Sequence, residues 1–170
     1  MKNQIFAVEI DLSRDYSAEA LSDSANLQHC LTSLRERYEE VVCLSANRYL
    51  YILAAGTGLD NMLDLLFPFF KDNRTVMLAP TEEEAFTTLM EIAGGERWKN
   101  VSVEHLKVAI HESAIAARES GRLGKALLFM LEEAWHINTY ALRKNQIKRE
   151  RHAYLSIPVR SFDFAALSLN

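Results

Sequence analysis

From Val41 to Ala55 the chain reads VVCLSANRYLYILAA. Two apolar runs rich in β-formers meet at a short polar knot, Ser45-Ala46-Asn47-Arg48. Runs of this kind, separated by so few residues, pair as a hairpin. Val41–Ser45 is therefore predicted to be one strand and Tyr49–Ala54 its partner, both buried. Such a hairpin needs further strands and helices to complete and cover its sheet.

The flanking sequence supplies them. Ile5, Ala7 (or Val8) and Ile10 give a short β pattern ending at Asp11. Leu21, Leu27, Leu31 and Leu34 recur at near-helical spacing between Ser17 and Arg37, which predicts an amphipathic helix interrupted near Ser24. Thr57 with Asp60 three residues on reads as a capping box. The helix it opens would bury Leu59, Met62, Leu63, Leu66 and Phe67 and bend or stop at Pro68. Arg74–Ala79 reads as another short strand. The order β-α-β-β-α-β is that of a ferredoxin-like sandwich, an antiparallel sheet with helices on one face.

After Pro80 the pattern changes to helix. Thr81 with Glu84 is a second capping box, and Glu82-Glu83-Glu84 suits the positive end of a helix. Ala85, Leu89, Ile92 and Ala93 form its apolar stripe, and Gly94-Gly95 ends it. Two more helices are expected at about 102–119 and 122–150, divided by Gly121 and Gly124. The fold class expected is thus α+β: a ferredoxin-like part over 1–80, a helical part over 81–153 and a tail over 154–170, all in one domain (1–170). The tail, Tyr154–Leu169, carries Phe162, Phe164, Leu167 and Leu169, which would pack on this domain or on a partner.

Composition narrows the function classes. The chain has 170 residues, 49% hydrophobic and 25% charged, with formal net charge -4. That is the balance of a globular protein with a core, and it carries no global basic field for nucleic acid. Neither DNA nor a membrane is an expected partner: no apolar run approaches the ~20 residues that span a bilayer. The N-terminus, MKNQIFAVEIDL, is too short and too acidic for a signal peptide. Cys30 and Cys43 lie in apolar contexts and read as buried free thiols, so a cytoplasmic location is expected. The five histidines show no metal-ligand spacing, and no glycine motif follows a strand as a dinucleotide fingerprint would.

Two groups of residues have chemistry worth following. The hairpin knot has a plain explanation, since Asn47 tolerates a left-handed backbone and Arg48 would be solvated. It also has a functional one: Arg48 presents a planar cation suited to a carboxylate or phosphate. The second group is the basic run near the end of the long helix, with Arg143, Lys144, Lys148, Arg149 and Arg151. Cations there complement the negative helix end, and they are also the chain's one local basic patch, available to RNA or an acidic partner.

With these segments in order, the chain resembles the N-terminal catalytic domain of the glutamyl-tRNA reductase family. The family's Ser-Thr-Cys-Asn-Arg-Thr-Glu-x-Tyr falls on Leu44-Ser45-Ala46-Asn47-Arg48-Tyr49-Leu50-Tyr51. Its A-V-x-H-L-F-R-V-A-A-G helix falls on Ala85 through Gly95. Its A-x-x-x-A-x-x-x-G helix end falls within Ala109–Gly121, and its L-F-x-x-A-F on Met130 through Trp135. The likeness covers nearly the whole chain and keeps framework residues more than signature ones.

The resemblance implies a former substrate pocket. In the family, the residue before Asn-Arg is a cysteine that attacks the glutamyl ester of charged tRNA. The resulting thioester is reduced by NADPH, and the arginine helps hold the glutamate. Here that position is Ala46, which has no attacking group. Cys43, three residues earlier, would face the other side of the strand. The family's histidines fall on Pro80 and Thr88, its Gly-Glu-Pro-Gln-Ile on Ser102 through Leu106, and the sequence stops where the family's NADPH-binding and dimerisation domains would follow. The expectation is a stand-alone, non-catalytic binding or regulatory domain linked to tetrapyrrole biosynthesis or tRNA handling. It has no catalytic residue, no metal and no cofactor of its own. Ser45, Asn47, Arg48 and His105 would bind a carboxylate ligand, and the basic run would contact tRNA or a tetrapyrrole-pathway protein. The alternative is one subunit of a split reductase that makes glutamate-1-semialdehyde with an NADPH domain on another chain.

Overall fold

The computed structural model describes residues 3–12, 25–66 and 74–153. Among them the elements are β1 (Gln4–Leu12), α1 (Ala25–Arg37), β2 (Glu40–Ala46), β3 (Tyr49–Gly56), α2 (Leu59–Leu66), β4 (Arg74–Ala79), α3 (Glu82–Ala93), α4 (Val103–Glu119) and α5 (Lys125–Ala153). The expected helical residues Ser17 to Ser24, the pair Phe67 and Pro68, and the 154–170 tail lie outside the described residues.

The four strands form one antiparallel sheet in the order β2-β3-β1-β4. Val8 of β1 lies opposite Ile52 of β3 on one side and Leu78 of β4 on the other. Cys43 of β2 also lies opposite Ile52. The α+β class, the ferredoxin-like strand order and the helical C-terminal half are as expected.

The sheet has apolar cover on both faces. Strand side chains alternate with a period of two. Phe6, Val8, Ile10 and Ile52 point to α1 and α2, where they meet Leu31, Leu34 and Met62. Ala7, Leu44, Tyr51 and Leu53 point the other way, into a second core with Leu89, Ile110 and Leu131 of α3, α4 and α5. The expected sandwich has helices on one face; here α3–α5 add a third layer on the other. This explains why β3 is buried at every position: a strand covered on both sides has no polar face to show.

Local signals account for the starts of α3 and α4. Thr81 caps α3, with its side chain accepting from the Glu84 amide and the Glu84 carboxylate accepting from the Thr81 amide at 3.2 Å. The expected stripe of Ala85, Leu89, Ile92 and Ala93 is buried. Ser102 caps α4 through the His105 amide. The Thr57 box does not form as expected. The helix starts two residues later at Leu59, because Gly58 adopts φ 88, a left-handed conformation that holds the chain out of the helix. The Gly58 carbonyl instead accepts from the Tyr38 hydroxyl at 2.7 Å. Met62 and Leu66 are the buried residues of that helix.

Helices α3, α4 and α5 are joined by one buried side chain. Asn138 of α5 donates to the Ala93 carbonyl at 3.1 Å and the Val103 carbonyl at 3.0 Å. It ties the last residue of α3 to the first of α4, which fixes the 94–102 loop between them.

Candidate functional site

The hairpin register pairs Ala46 with Tyr49, leaving Asn47 and Arg48 as the turn. Asn47 takes the left-handed conformation, φ 51, which Asn accepts more readily than most residues. Its amide donates to the Asn100 carbonyl at 3.0 Å, docking the turn on the 94–102 loop. The Arg48 carbonyl accepts from the Leu12 amide at 2.9 Å, so the end of β1 also holds the turn.

Arg48 is engaged within the chain. Its Nε lies 2.8 Å from Asp11 Oδ1, a close ion pair rather than an aligned hydrogen bond. Its terminal nitrogen donates to the Tyr49 hydroxyl at 3.3 Å. The Tyr49 hydroxyl, and after it Asp11, push the guanidinium pKa up. Tyr49 in turn stacks flat on Trp98, centroids 5.3 Å apart and planes 6° apart, and accepts from the Lys99 amide. Both rings are buried.

A second acid–arginine set lies alongside. Asp11 and Glu9 sit opposite Tyr49 and Tyr51 in the register, so all four share one face. Arg97 of the loop bonds Glu9 at 2.5 Å and Glu91 at 2.8 Å. Partial burial works against the Arg97 charge, but the two carboxylates overcome it and raise its pKa. Burial, then the Glu9 charge, push the Tyr51 hydroxyl up. It stays protonated and donates to the Ala85 carbonyl at 2.6 Å. Each arginine here is already matched by an acid.

Ala46 is buried in the core shared with α3–α5. Cys43 packs against the opposite core, with α1 and α2, and burial, then the Cys30 thiol, push its pKa to about 12. Ser45 lies on the Cys43 side and lines a cavity against α1 and α4. Ser45 is thus on the other face of the strand from Ala46, and the structure does not bring it together with Arg48. His105 stands in the first turn of α4, half-buried; no hydrogen bond or ion pair joins its side chain to Arg48 among the described residues.

Of the basic run, Arg143, Lys144 and Lys148 are exposed on α5. Arg149 lies 3.3 Å from Glu104 at the start of α4, and Arg151 falls in the last turn of α5. The Asn47–Asn100 bond, the short step to Glu104, and the Glu104–Arg149 pair put the hairpin turn, the 94–102 loop and the end of α5 at one end of the molecule. Among the described residues, no three His, Cys, Asp or Glu side chains are placed to hold a metal, and no helix is long and apolar enough to cross a membrane.

Asp11, Glu9, Arg97, Trp98 and Asn100 escape the sequence reading. Trp98 and Arg97 lie in a loop without regular pattern, and their partners are far away in sequence. Only the alternation of Glu9 and Asp11 with the aliphatic Val8, Ile10 and Leu12 offered a signal.

The fold and site define an α+β class: a ferredoxin-like sheet with a helical bundle closing its second face. A solved structure with this architecture is a glutamyl-tRNA reductase from Methanopyrus kandleri, with TM-score 0.61 and 17% identity over 85% of this chain. The likeness is one of fold, and this chain covers 35% of the length of that one. No protein-family model and no curated protein sequence matches the chain.

Proposed function

We propose that this protein is a non-catalytic relative of glutamyl-tRNA reductase, a cytoplasmic pseudoenzyme. It is a binding or regulatory domain working in tetrapyrrole (porphyrin or haem) biosynthesis or in tRNA handling. One observation carries the reading. At the position the resemblance gives to the nucleophilic cysteine stands Ala46, buried in the core, beside an arginine already paired with Asp11. An alanine cannot form a thioester, so the step that precedes hydride transfer has no attacking atom there. The Cys43 thiol does not replace it: it faces the other core, and a thiol pushed to about 12 holds almost no thiolate at neutral pH.

What remains is a recognition surface. Asn47, Arg48 and His105 belong to the end of the molecule that also carries Arg143, Lys144, Lys148 and Arg149, which suits an anionic partner such as tRNA or the acidic face of a pathway protein. A carboxylate ligand at Arg48 would compete with Asp11 for the guanidinium.

The test has two parts. Purified protein is expected to show no NADPH oxidation with glutamyl-tRNA and no rescue of a strain lacking the reductase; rescue overturns the reading. Fluorescence anisotropy of labelled tRNA-Glu against a non-cognate tRNA at two salt concentrations then addresses the partner. A cognate preference that survives higher salt supports tRNA handling. Weak, equal binding that vanishes with salt is plain electrostatics and moves the search to a protein partner.

A further inference from the structure

A cavity of about 240 Å³ lies at the outer edge of β2, between α1, β2 and α4. Three of its features point to a ligand. Arg35 of α1 lines it, and Arg35 Nε is buried with no hydrogen-bond partner among the described residues. Leaving a buried donor unbonded destabilises a fold, a cost that a bound acceptor would remove. Gln28, Ser45 and Glu112 add polar groups around the same space, while Leu27, Leu31 and Val41 make an apolar wall. A few convergent polar groups on an apolar lining are the usual make-up of a small-molecule site, and the volume lies just below the ~300 Å³ at which drug-sized pockets begin.

We infer that this cavity binds a small organic monocarboxylate of amino-acid size, with Arg35 reading the carboxylate. The guanidinium edge that includes Nε matches a carboxylate with two parallel hydrogen bonds. The apolar wall takes an aliphatic body. Glu112 sets the charge: one arginine and one glutamate balance, so a second carboxylate or a phosphate meets like charge, whereas an ammonium group on the same ligand is welcome. The β2 residues that line it, Val41, Cys43 and Ser45, point away from Ala46, and the site shares no residue with the Asp11–Arg48 pair. It stands or falls independently of the reading above.

The experiment titrates the full chain with isocaproate, L-leucine and glutarate, followed by amide NMR shifts. Isocaproate and L-leucine share one carboxylate and one aliphatic body, and tighter binding of L-leucine marks the ligand as an amino acid rather than a short fatty acid. Saturable shifts at Arg35, Cys43, Ser45 and Ala116 are expected from one or both, with glutarate weaker. Arg35→Gln is expected to weaken binding about tenfold or more, the loss of one charge-assisted pair. Ala116→Leu, at an exposed helix position lining the cavity, fills the space without touching the charges and is expected to abolish binding in a folded protein. No saturable binding of either monocarboxylate, glutarate binding as well as they do, shifts centred on Arg48 instead, or binding indifferent to Arg35→Gln would each overturn the proposal.

Discussion

Cys30 and Cys43 face the same core from α1 and β2, and burial there suppresses their acidity. Burial pushes the Cys30 thiol from 9.0 to about 11; burial and then its neighbour push Cys43 to about 12. The sign of the pH effect follows. Below pH 9 both thiols are neutral, folded or unfolded, and their contribution to stability is fully present. As pH rises through 9 the unfolded chain loses these protons first, so it binds fewer protons than the native state and stability falls. The fall continues until the native thiols themselves titrate, near 11 and 12. Denaturant titrations across this range are expected to show a slope that a Cys30→Ala, Cys43→Ala variant partly removes. The remainder belongs to Tyr38 and Tyr51, which burial also shifts upward. An identical slope in the variant would mean that the thiols are accessible to water. The burial of Cys30 could be read from its apolar neighbours, and the opposite facing of Cys43 and Ala46 from their odd offset; Cys43, expected to be buried too, is only half-buried, because it lines the cavity against α1 and α4. The commitment of Arg48 to Asp11 could not, because nothing local in either segment signals the other.

Helix α5 shows the same limit one level up. Its N-terminus has neither Ser, Thr, Asp nor Asn before Lys125, so a local reading finds only a break at Gly124. The cap comes from β2: the Glu40 carboxylate accepts from the Gly124 amide at 3.1 Å and the Leu127 amide at 2.9 Å, from 84 and 87 residues away. A carboxylate there satisfies orphan N–H groups and the positive helix end together. Gly124 leaves room for this contact, since a Cβ added to it would stand 2.4 Å from the Glu40 carboxylate and push that flexible side chain aside. Glu40→Ala is expected to cost about 1 kcal/mol, as lost caps do, and to lower the melting temperature. Gly124→Ala is expected to cost a similar amount by displacing the cap. The double variant should then cost little more than either single one, because both remove one interaction. Simple additivity in that cycle would mean that Glu40 does not cap α5. Helix α3 behaves differently. Its box, Thr81 with Glu84, spans three residues and was visible in the sequence. The Thr57 box looked equally good and failed, because Gly58 between its members takes a left-handed backbone.

At the scale of the molecule, charge decides what the far end of α5 can do. The chain carries a net charge of -4, so its overall field repels a polyanion, and any nucleic-acid contact must be local. Of the basic run, Arg149 is offset by Glu104, while Arg143, Lys144 and Lys148 stand exposed on the last turns of one long helix. An exposed pair such as Arg149–Glu104 contributes about 0–1 kcal/mol to stability, so it can be opened without harm to the fold. Glu104→Gln removes one negative charge and releases one positive one at the surface where tRNA would dock. Affinity for tRNA is expected to rise, and the salt dependence to steepen by about one unit if Arg149 then meets a phosphate. Arg143→Ala with Lys148→Ala is expected to act in the opposite sense, weakening binding and flattening the slope by about one unit for each phosphate no longer neutralised. Anisotropy titrations over a range of salt read both variants in one experiment, with circular dichroism confirming that each remains folded. If tRNA affinity responds to neither change, the basic end of α5 is a solvated helix terminus, and recognition by this protein must be sought at the hairpin turn and the face above Arg48.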